Sequence, residues 1–304
     1  MQFDAVLIAG PTASGKSAAA SALAEIYGGT VINADSMQVY RELRLLSARP
    51  SEADEARVPH CLYGHVSAHE RYSAGRYQLE AADALSASRS AGRLPIFTGG
   101  TGLYFSALTE GLSPIPAVPL EVREGLRARQ VTIGVEAFFA ELAAQDPTSV
   151  RNLTAADSQR VLRAASVLAA TGRPLSHWHR SRGIPVLEGL RIARFVIAPP
   201  REELGSRIDA RFLAMVEGGA LDEVRSLADL DATLPAARAL GVRQLLRVLD
   251  GSSSLDDAVS VAQGETRRYA KRQMTWFRRF MRDWDWIEKS ELSNIILIVK
   301  EIID

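Results

Sequence analysis

The sequence predicts an α/β fold in which a parallel sheet is flanked by helices and carries a helical insertion. Three short apolar segments, 3–9, 30–34 and 94–98, have the character of buried strands, and helical patterns separate them. Strands that alternate with helices of this length are typical of a parallel, doubly wound sheet. Segment 120–189 is helical in pattern, and segment 190–198 returns to strand character. We therefore predict a core formed by residues 1–114 and 190–304, with a helical insertion domain over 115–189.

A glycine-rich loop follows the first predicted strand and opens the first predicted helix. It fits the spacing of a phosphate-binding P-loop in both sequence and setting. Backbone N–H groups and the helix N-terminus would converge on phosphate oxygens, the Lys16 ammonium would add positive charge, and the Ser17 hydroxyl suits Mg²⁺. The loop predicts a P-loop NTPase-like sheet that binds a polyphosphate, but it does not define a reaction. The predicted phosphate-binding residues are Gly10, Pro11, Thr12, Ala13, Ser14, Gly15, Lys16 and Ser17.

A carboxylate ends the second predicted strand. Asp35 lies in Asn-Ala-Asp-Ser-Met-Gln-Val-Tyr-Arg at 33–41, and open α/β sheets bind ligands at the carboxyl ends of their strands. Two interpretations of Asp35 stay open, a general base beside the phosphates or a cap for a following helix. The segment after residue 97 reads Thr-Gly-Gly-Thr-Gly, without the carboxylate that a hydrolytic motor often carries there.

The overall composition is that of an ordinary globular protein. Lys+Arg and Asp+Glu both number 36, so bulk charge alone would not hold nucleic acid, although a locally basic face is compatible. The single cysteine, Cys61, allows no intramolecular disulfide and fits a reducing compartment. No basic region precedes the short apolar run at the amino terminus, unlike a signal peptide. We expect a cytoplasmic protein and, by default, a monomer.

A long helix is predicted from about Leu255, with Ser254 and Asp257 at capping-box spacing. It carries many arginines interleaved with aromatic residues. Tyr269, Gln273, Trp276 and Phe280 recur at roughly helical intervals, which favours core packing of the aromatics over stacking on bases. The arginines are candidates for contacts with a phosphate backbone.

Five segments, in order, resemble the bacterial tRNA dimethylallyltransferase family. They are 10–17, 33–41, Gly-Gly-Thr-Gly-Leu-Tyr at 99–104, Asp-Ser-Gln-Arg-Val-Leu-Arg at 157–163 with Thr-Gly-Arg-Pro at 171–174, and the basic-aromatic run 267–279. The resemblance spans residues 5–285. It implies transfer of a dimethylallyl group from dimethylallyl diphosphate to N6 of the adenine 3′-adjacent to the anticodon. It further implies tRNAs that read codons beginning with U, N6-isopentenyladenosine and diphosphate as products, and Mg²⁺ as cofactor.

The resemblance also implies roles for individual residues. Asp35 would be the general base, and Thr101 resembles the family threonine that contacts the reacting nucleotide, with simple turn chemistry as the alternative. Arg207 and Arg211 resemble diphosphate-binding arginines, with a solvated charged helix face as the alternative. The implied contacts with the tRNA anticodon stem-loop are Asp35, Ser36, Met37, Gln38, Thr101, Arg123, Gln159, Arg160, Val161, Leu162, Arg163, Arg238, Gly241 and Arg243. For any single arginine among them, a solvated surface charge is the alternative.

The chain departs from the family pattern in two places. Leu-Ser-Ala-Arg-Pro at 46–50 replaces the usual Gly-Thr-Ala-Lys-Pro, and Val242 stands where tyrosine is usual. We expect the second departure to alter an RNA-facing contact. Residues 288–304 lie outside the resemblance.

Two other functions are compatible with a P-loop fold, because a fold does not dictate a function. One is a small-molecule or nucleoside kinase, for which segment 159–163 and the basic carboxyl-terminal helix are surplus. The other is a non-enzymatic RNA-binding module, which leaves the Asp35 segment unexplained.

Overall fold

A computed structural model describes residues 2–289 and 291–303, and it contains one six-stranded sheet in the order β3-β2-β4-β1-β5-β6. All neighbouring strands run parallel. The strands are β1 Ala5–Ala9, β2 Gly29–Asn33, β3 His60–Cys61, β4 Leu94–Gly99, β5 Ile192–Ile197 and β6 Asp285–Ile287. The predicted class, a P-loop NTPase-like parallel sheet flanked by helices, is confirmed.

Helices connect and flank these strands. They are α1 Lys16–Tyr27, α2 Glu52–Arg57, α3 Ala74–Ser90, α4 Gly102–Thr109, α5 Leu120–Ile133, α6 Val135–Gln145, α7 Pro147–Val150, α8 Ser158–Thr171, α9 Leu175–Trp178, α10 Arg201–Glu217, α11 Ala220–Arg225, α12 Val242–Leu249, α13 Leu255–Phe280 and α14 Leu292–Ile303, with a 3₁₀ turn at Ala236–Arg238.

The chain divides into two compact units, one formed by residues 1–109 and 186–304 and the other by residues 110–185. The sheet and the flanking helices α1–α4 and α10–α14 make up the first unit. The second consists of α5–α9, and its core contains Phe138, Leu142, Val150, Val161 and Leu162. In the part of the chain that the structure describes, no helix is long and apolar enough to cross a membrane.

Local sequence explains how the first strand and helix form. All five residues of β1 are buried, as expected for an apolar strand covered on both faces. Helix α1 ends at Gly28, whose left-handed backbone (φ 63°) closes the last turn. Gly29 does not help to stop the helix but belongs to β2, where a Cβ would lie 2.9 Å from the Ile96 side chain.

Strands β3 and β6 and helix α14 are among the elements of the first unit that the sequence does not predict. Strand β3 has two residues, which pair with Val31 and Ile32 at the sheet edge, and two residues are too few to show a strand pattern. Strand β6 extends the other edge beside β5. Helix α14 packs on the sheet and on α1 through buried Ile295, Val299 and Ile303, which gives a structural account of the segment outside the resemblance.

Candidate active site

Residues 10–17 form a tight loop between β1 and α1, with positive φ at Ala13 (66°) and Gly15 (91°). Only glycine fits at position 10. A Cβ there would lie 2.5 Å from the Ser14 hydroxyl oxygen and 2.9 Å from the Ile197 carbonyl oxygen. The backbone therefore closes tightly around a small concave space, the geometry that phosphate binding requires.

Several main-chain donors of this loop are already hydrogen-bonded within the protein. The Gly10 N–H donates to the Gly99 carbonyl at 3.3 Å, and the Ser14 N–H donates to the Pro11 carbonyl at 3.2 Å. The Thr12 N–H donates to a side chain of α13, described below, and proline has no N–H. The N–H groups of Gly10, Thr12 and Ser14 thus have acceptors within the protein, and the role of these residues in diphosphate binding stays a prediction.

Apart from the Ala13 N–H, the remaining donors lie at the start of α1. The N–H groups of Gly15, Lys16 and Ser17 fall in the first turn of the helix, where no intrahelical acceptor exists. The Ser14 hydroxyl is buried and has no hydrogen-bond partner among the described residues. A buried polar group without a partner is costly, and an oxygen of a bound phosphate would satisfy it.

Two cations face this loop, the buried Lys16 and the half-buried Arg211. The Lys16 ammonium donates to the Pro11 carbonyl at 3.3 Å, and burial lowers the pKa of Lys16 to about 8, opposed by the nearby Asp35 carboxylate. The Arg211 guanidinium donates to the Thr12 hydroxyl, and burial lowers the pKa of Arg211 to about 10, again opposed by Asp35. Charge held out of water in this way is stabilised by an anion, so the site suits a polyphosphate.

Arg207 lies one helical turn before Arg211 and also faces the loop. Its Nη1 is 4.0 Å from the point where a Cβ on Gly15 would stand, and its Nη2 pairs with Glu203 at 2.7 Å. Helix α10 therefore directs both arginines toward the phosphate loop rather than presenting a purely solvated face. Their role in diphosphate binding stays a prediction.

Asp35 follows β2, and its backbone is held by the Asn33 side chain, which accepts from the Asp35 N–H at 2.7 Å and donates to the Asp35 carbonyl at 2.9 Å. Its Oδ1 accepts the Met37 N–H at 3.0 Å. No helix begins here, since the next one starts at Glu52, so the interpretation of Asp35 as a helix cap is wrong. The carboxylate is half-buried and acts electrostatically on Lys16.

Thr101 connects the glycine-rich segment after β4 to the Asp35 segment. Its hydroxyl accepts the Ser36 N–H at 2.9 Å and donates to the Ser36 hydroxyl at 3.2 Å. The two segments meet because β2 and β4 are neighbours, and the contact is close enough that a Cβ on Gly99 would overlap the Ala34 backbone. The side chain of Thr101 thus bonds across the site and not within its own turn.

Gln38 is buried, and its amide orientation is set by the loop that follows. Its Nε2 donates to the Ser47 and Ala48 carbonyls, both at 3.0 Å. Glu223 holds the same loop by accepting the N–H groups of residues 44–46. Because the amide of Gln38 contacts main-chain carbonyls, the side-chain departures at 46–50 leave these bonds intact.

Six of the residues expected to contact tRNA lie in the second unit. Val161 and Leu162 are 1% and 3% exposed, and their side chains lie in the core of this unit. They occupy the inner face of α8, which its helical period turns away from solvent. Their assignment to tRNA binding stays a prediction. Gln159, Arg160 and Arg163 are exposed, and Arg123 on α5 is half-buried.

Gly241 lies in the first unit, and its assignment as an RNA contact stays a prediction. It is buried with φ 92°, and a Cβ there would lie 2.9 Å from the Phe212 ring. Val242 is fully buried, so its departure from the family pattern changes core packing and not an RNA-facing surface. Arg238 and Arg243 are exposed, and Met37 packs partly against the neighbouring core cluster.

The donor set bears on a magnesium ion. The described residues contain no group of three His, Cys, Asp or Glu side chains that could hold a metal. Magnesium in nucleotide and diphosphate sites needs only one or two protein oxygens, because phosphate oxygens and water complete its shell. The half-buried Ser17 hydroxyl at the start of α1 fits that kind of site.

Gln273 is a site residue for which the sequence pattern indicates only a core position. Its Oε1 accepts the Thr12 N–H at 3.0 Å, and its Nε2 donates to the Gly100 carbonyl at 2.9 Å. It is 5% exposed. Its polar amide among the aromatics of an amphipathic helix was the signal that could have revealed it, since a buried amide needs partners.

A phosphate loop, two cations that face it and a carboxylate at the strand ends define a P-loop-type α/β protein built for a phosphorylated ligand. The model of the IPP transferase family matches residues 38–280, and that of isopentenyl transferase matches residues 3–59. The chain belongs to the IPP transferase family. This confirms the resemblance seen in the sequence.

Relatives and solved structures agree with this assignment. A tRNA dimethylallyltransferase of Rhodopseudomonas palustris is 54% identical over 96% of this chain and 92% of its own, and one of Nitrobacter hamburgensis is 52% identical over 95% and 92%. The tRNA isopentenylpyrophosphate transferase structure from Bacillus halodurans has a TM-score of 0.68 at 31% identity, covering 99% and 95%. A eukaryotic dimethylallyltransferase acting on tRNA has a TM-score of 0.76 at 25% identity, covering 95% and 74%.

Proposed function

We propose that this chain transfers the dimethylallyl group of dimethylallyl diphosphate to N6 of the adenine 3′-adjacent to the anticodon. Its substrates would be tRNAs that read codons beginning with U. The products are N6-isopentenyladenosine and diphosphate. The observation that carries this proposal is the placement of Asp35, whose carboxylate acts on both the Lys16 ammonium and the Arg211 guanidinium. A proton acceptor beside two positively charged side chains that can bind diphosphate suits alkylation of a weakly basic amine by an allylic diphosphate.

The proposed reaction is a substitution at the allylic carbon. The N6 lone pair is delocalised into the adenine ring, so the amine becomes a better nucleophile when Asp35 accepts its proton. The N6–C bond forms as the C–O bond to diphosphate breaks, and the leaving group takes the electron pair of that bond. Lys16, Arg211 and the amides at the start of α1 would stabilise the negative charge that develops on it.

We propose Mg²⁺ as the cofactor, with the Ser17 hydroxyl as its protein ligand. The bound ion would neutralise charge on the departing diphosphate. The protein side of this arrangement is one hydroxyl at the start of α1, and the Lys16 ammonium in the same loop supplies a further positive charge.

The RNA side of the proposal rests on exposed basic and polar residues. Gln159, Arg160 and Arg163 lie on the solvent face of α8, and Arg238 and Arg243 are exposed in the first unit. Such side chains suit the backbone of an anticodon arm, while the Asp35–Gln38 segment would meet the extruded adenine. A single-stranded loop makes extrusion of the base inexpensive. We expect a monomer to be sufficient for this binding.

A transfer assay tests the proposal directly. Purified protein is incubated with radiolabelled dimethylallyl diphosphate, Mg²⁺ and bulk bacterial tRNA, and the modified nucleoside is identified after digestion. We expect label on adenine N6 next to the anticodon, and omission of Mg²⁺ should reduce it. ATP-dependent phosphorylation of a small acceptor, with no label in tRNA, would instead favour a kinase.

A further inference from the structure

We propose that Gln273 is a positioning residue. It holds the phosphate loop (residues 10–17) and the glycine-rich loop after β4 (residues 99–102) at the separation that transfer requires. This inference rests on the proposed function. The phosphate loop follows β1, and the segment that carries Thr101 follows β4. Gln273 comes from neither, but from the middle of α13, and one side-chain amide contacts both.

The two hydrogen bonds use opposite ends of the amide group. Oε1 accepts the Thr12 N–H at 3.0 Å, and Nε2 donates to the Gly100 carbonyl at 2.9 Å. Neither bond can survive a flip of the amide, because both would then face groups of the same polarity. The side chain therefore bridges the two loops and fixes the distance between them.

The Gln273 amide lies close to the carboxylate of Asp35, the proposed base. At Gly100, the position of a hypothetical Cβ is 2.1 Å from the Gln273 Nε2 and 3.2 Å from the Asp35 Oδ2. Residue 100 thus has to be glycine because two functional side chains converge on it. At the other loop, the Thr12 hydroxyl accepts a hydrogen bond from Arg211. Gln273 therefore contacts a residue that is itself bonded to one of the two cations at the phosphate loop.

Helix α13 also packs closely against the glycine-rich loop after β4. A Cβ on Gly102 would lie 2.3 Å from the Trp276 indole, one helical turn after Gln273. Gln273 itself is 5% exposed, so its hydrogen bonds are shielded from competing water. A displacement of 1 Å between reacting groups costs about 10²-fold in rate, so a side chain that fixes this distance affects chemistry without touching substrate.

The decisive variant is Gln273→Met, which keeps the length and volume of the side chain and removes both hydrogen bonds. We expect the single-turnover rate of transfer at saturating substrates to fall about 10-fold to 10²-fold. The dissociation constants for dimethylallyl diphosphate (measured without tRNA) and for tRNA should change less than about threefold, because neither ligand is contacted. This split between rate and affinity distinguishes positioning from loss of a binding contact.

Gln263→Met is the matched control. Gln263 lies on the same helix, and its Nε2 donates to the Asp209 carbonyl at 3.1 Å, away from both loops. We expect its transfer rate to stay at the wild-type level, with a comparable change in melting temperature. Equal losses of rate in the two variants would overturn the proposal, because the effect would then be general to α13.

Gln273→Asn provides a second variant if the methionine protein does not fold. It keeps the amide but shortens the side chain by one methylene, so it can reach one loop at most. We expect a rate between those of wild type and Gln273→Met. A wild-type rate in Gln273→Asn or in a folded Gln273→Met, or a loss confined to diphosphate affinity, would overturn the assignment. An inactive wild-type protein would instead contradict the proposed function itself.

Discussion

The Thr101 hydroxyl accepts a hydrogen bond from the Ser36 N–H at 2.9 Å, across 65 positions of sequence. Ser36 follows Asp35 directly, so this bond holds the segment that carries the proposed base. It exists because β2 and β4 are adjacent in the sheet and end at the same edge. The glycines around Thr101 allow the approach, and the threonine makes the connection.

Replacing Thr101 by valine should therefore slow transfer by about tenfold or more, because the Ser36 N–H loses its acceptor and the Asp35 segment loosens. Single-turnover kinetics with labelled dimethylallyl diphosphate measure this directly. Thr101→Ser keeps the hydroxyl and serves as the control, with a rate near that of wild type. If valine and serine gave the same rate, the methyl group and not the hydroxyl would matter.

Asp35→Asn should reduce transfer by about 10²-fold or more, because the amide cannot accept the N6 proton. Asparagine retains an oxygen for the Met37 N–H, so the local turn is preserved. Affinity for tRNA, measured by filter binding, should stay within about threefold of wild type. Wild-type turnover in this variant would contradict the role of Asp35 as the base.

Affinity for dimethylallyl diphosphate should fall as pH rises above about 8. Burial lowers the pKa of Lys16 to about 8 in the protein without ligand, so the ammonium is charged below that pH and neutral above it. A bound anion favours the charged form, so binding above pH 8 must take up a proton. The expected loss is about one log unit per pH unit in that range, and affinity should be flat below it.

Calorimetry in EDTA and without tRNA measures this dependence, because no transfer occurs under these conditions. A diphosphate monoester loses its last proton below pH 8, so the ligand itself does not titrate in the range above it. Lys16→Arg is the control, because a guanidinium stays protonated throughout. Its affinity should not follow the same curve. A parallel decline in both proteins would place the titrating group elsewhere.

Arg163→Gln on the exposed face of α8 should weaken tRNA binding and lower the slope of log affinity against log salt by about one. The reason is the loss of one contact with a phosphate. Arg151→Gln, at another exposed position of the same unit, is the control and should leave the slope unchanged. An unaltered slope in Arg163→Gln would identify this arginine as a solvated surface charge.

Val299→Ala in α14 should lower the free energy of unfolding by about 2 kcal/mol, because Val299 is fully buried against the sheet and α1. Urea unfolding followed by circular dichroism measures the change. Leu297 on the same helix is 57% exposed, so Leu297→Ala should change stability by less than about 0.5 kcal/mol. Similar values for both variants would mean that α14 does not pack on the core in solution.

Much of the fold was predictable from local sequence. An apolar strand, a glycine-rich loop and a helix with a glycine cap specify β1, the phosphate loop and α1, because each depends on neighbours within a few residues. The helical character of α5, α6 and α8 followed from periodicity in the same way. The five motif segments then identified the family, since their order and spacing are unusual.

The sequence by itself thus determined the class of fold, the phosphate loop and the carboxylate after β2. Only the tertiary structure decided which motif residues reach the site. Val161 and Leu162 lie within a motif segment and Gly241 was an implied tRNA contact, yet packing buries all three. Gln273 is the reverse case: its spacing indicates only a core position, yet the fold places it between two loops, where it bonds to Thr12 across 261 positions of sequence. Helical periodicity shows that a residue faces the interior, but only the packing of α13 against the strand ends decides which groups it meets there.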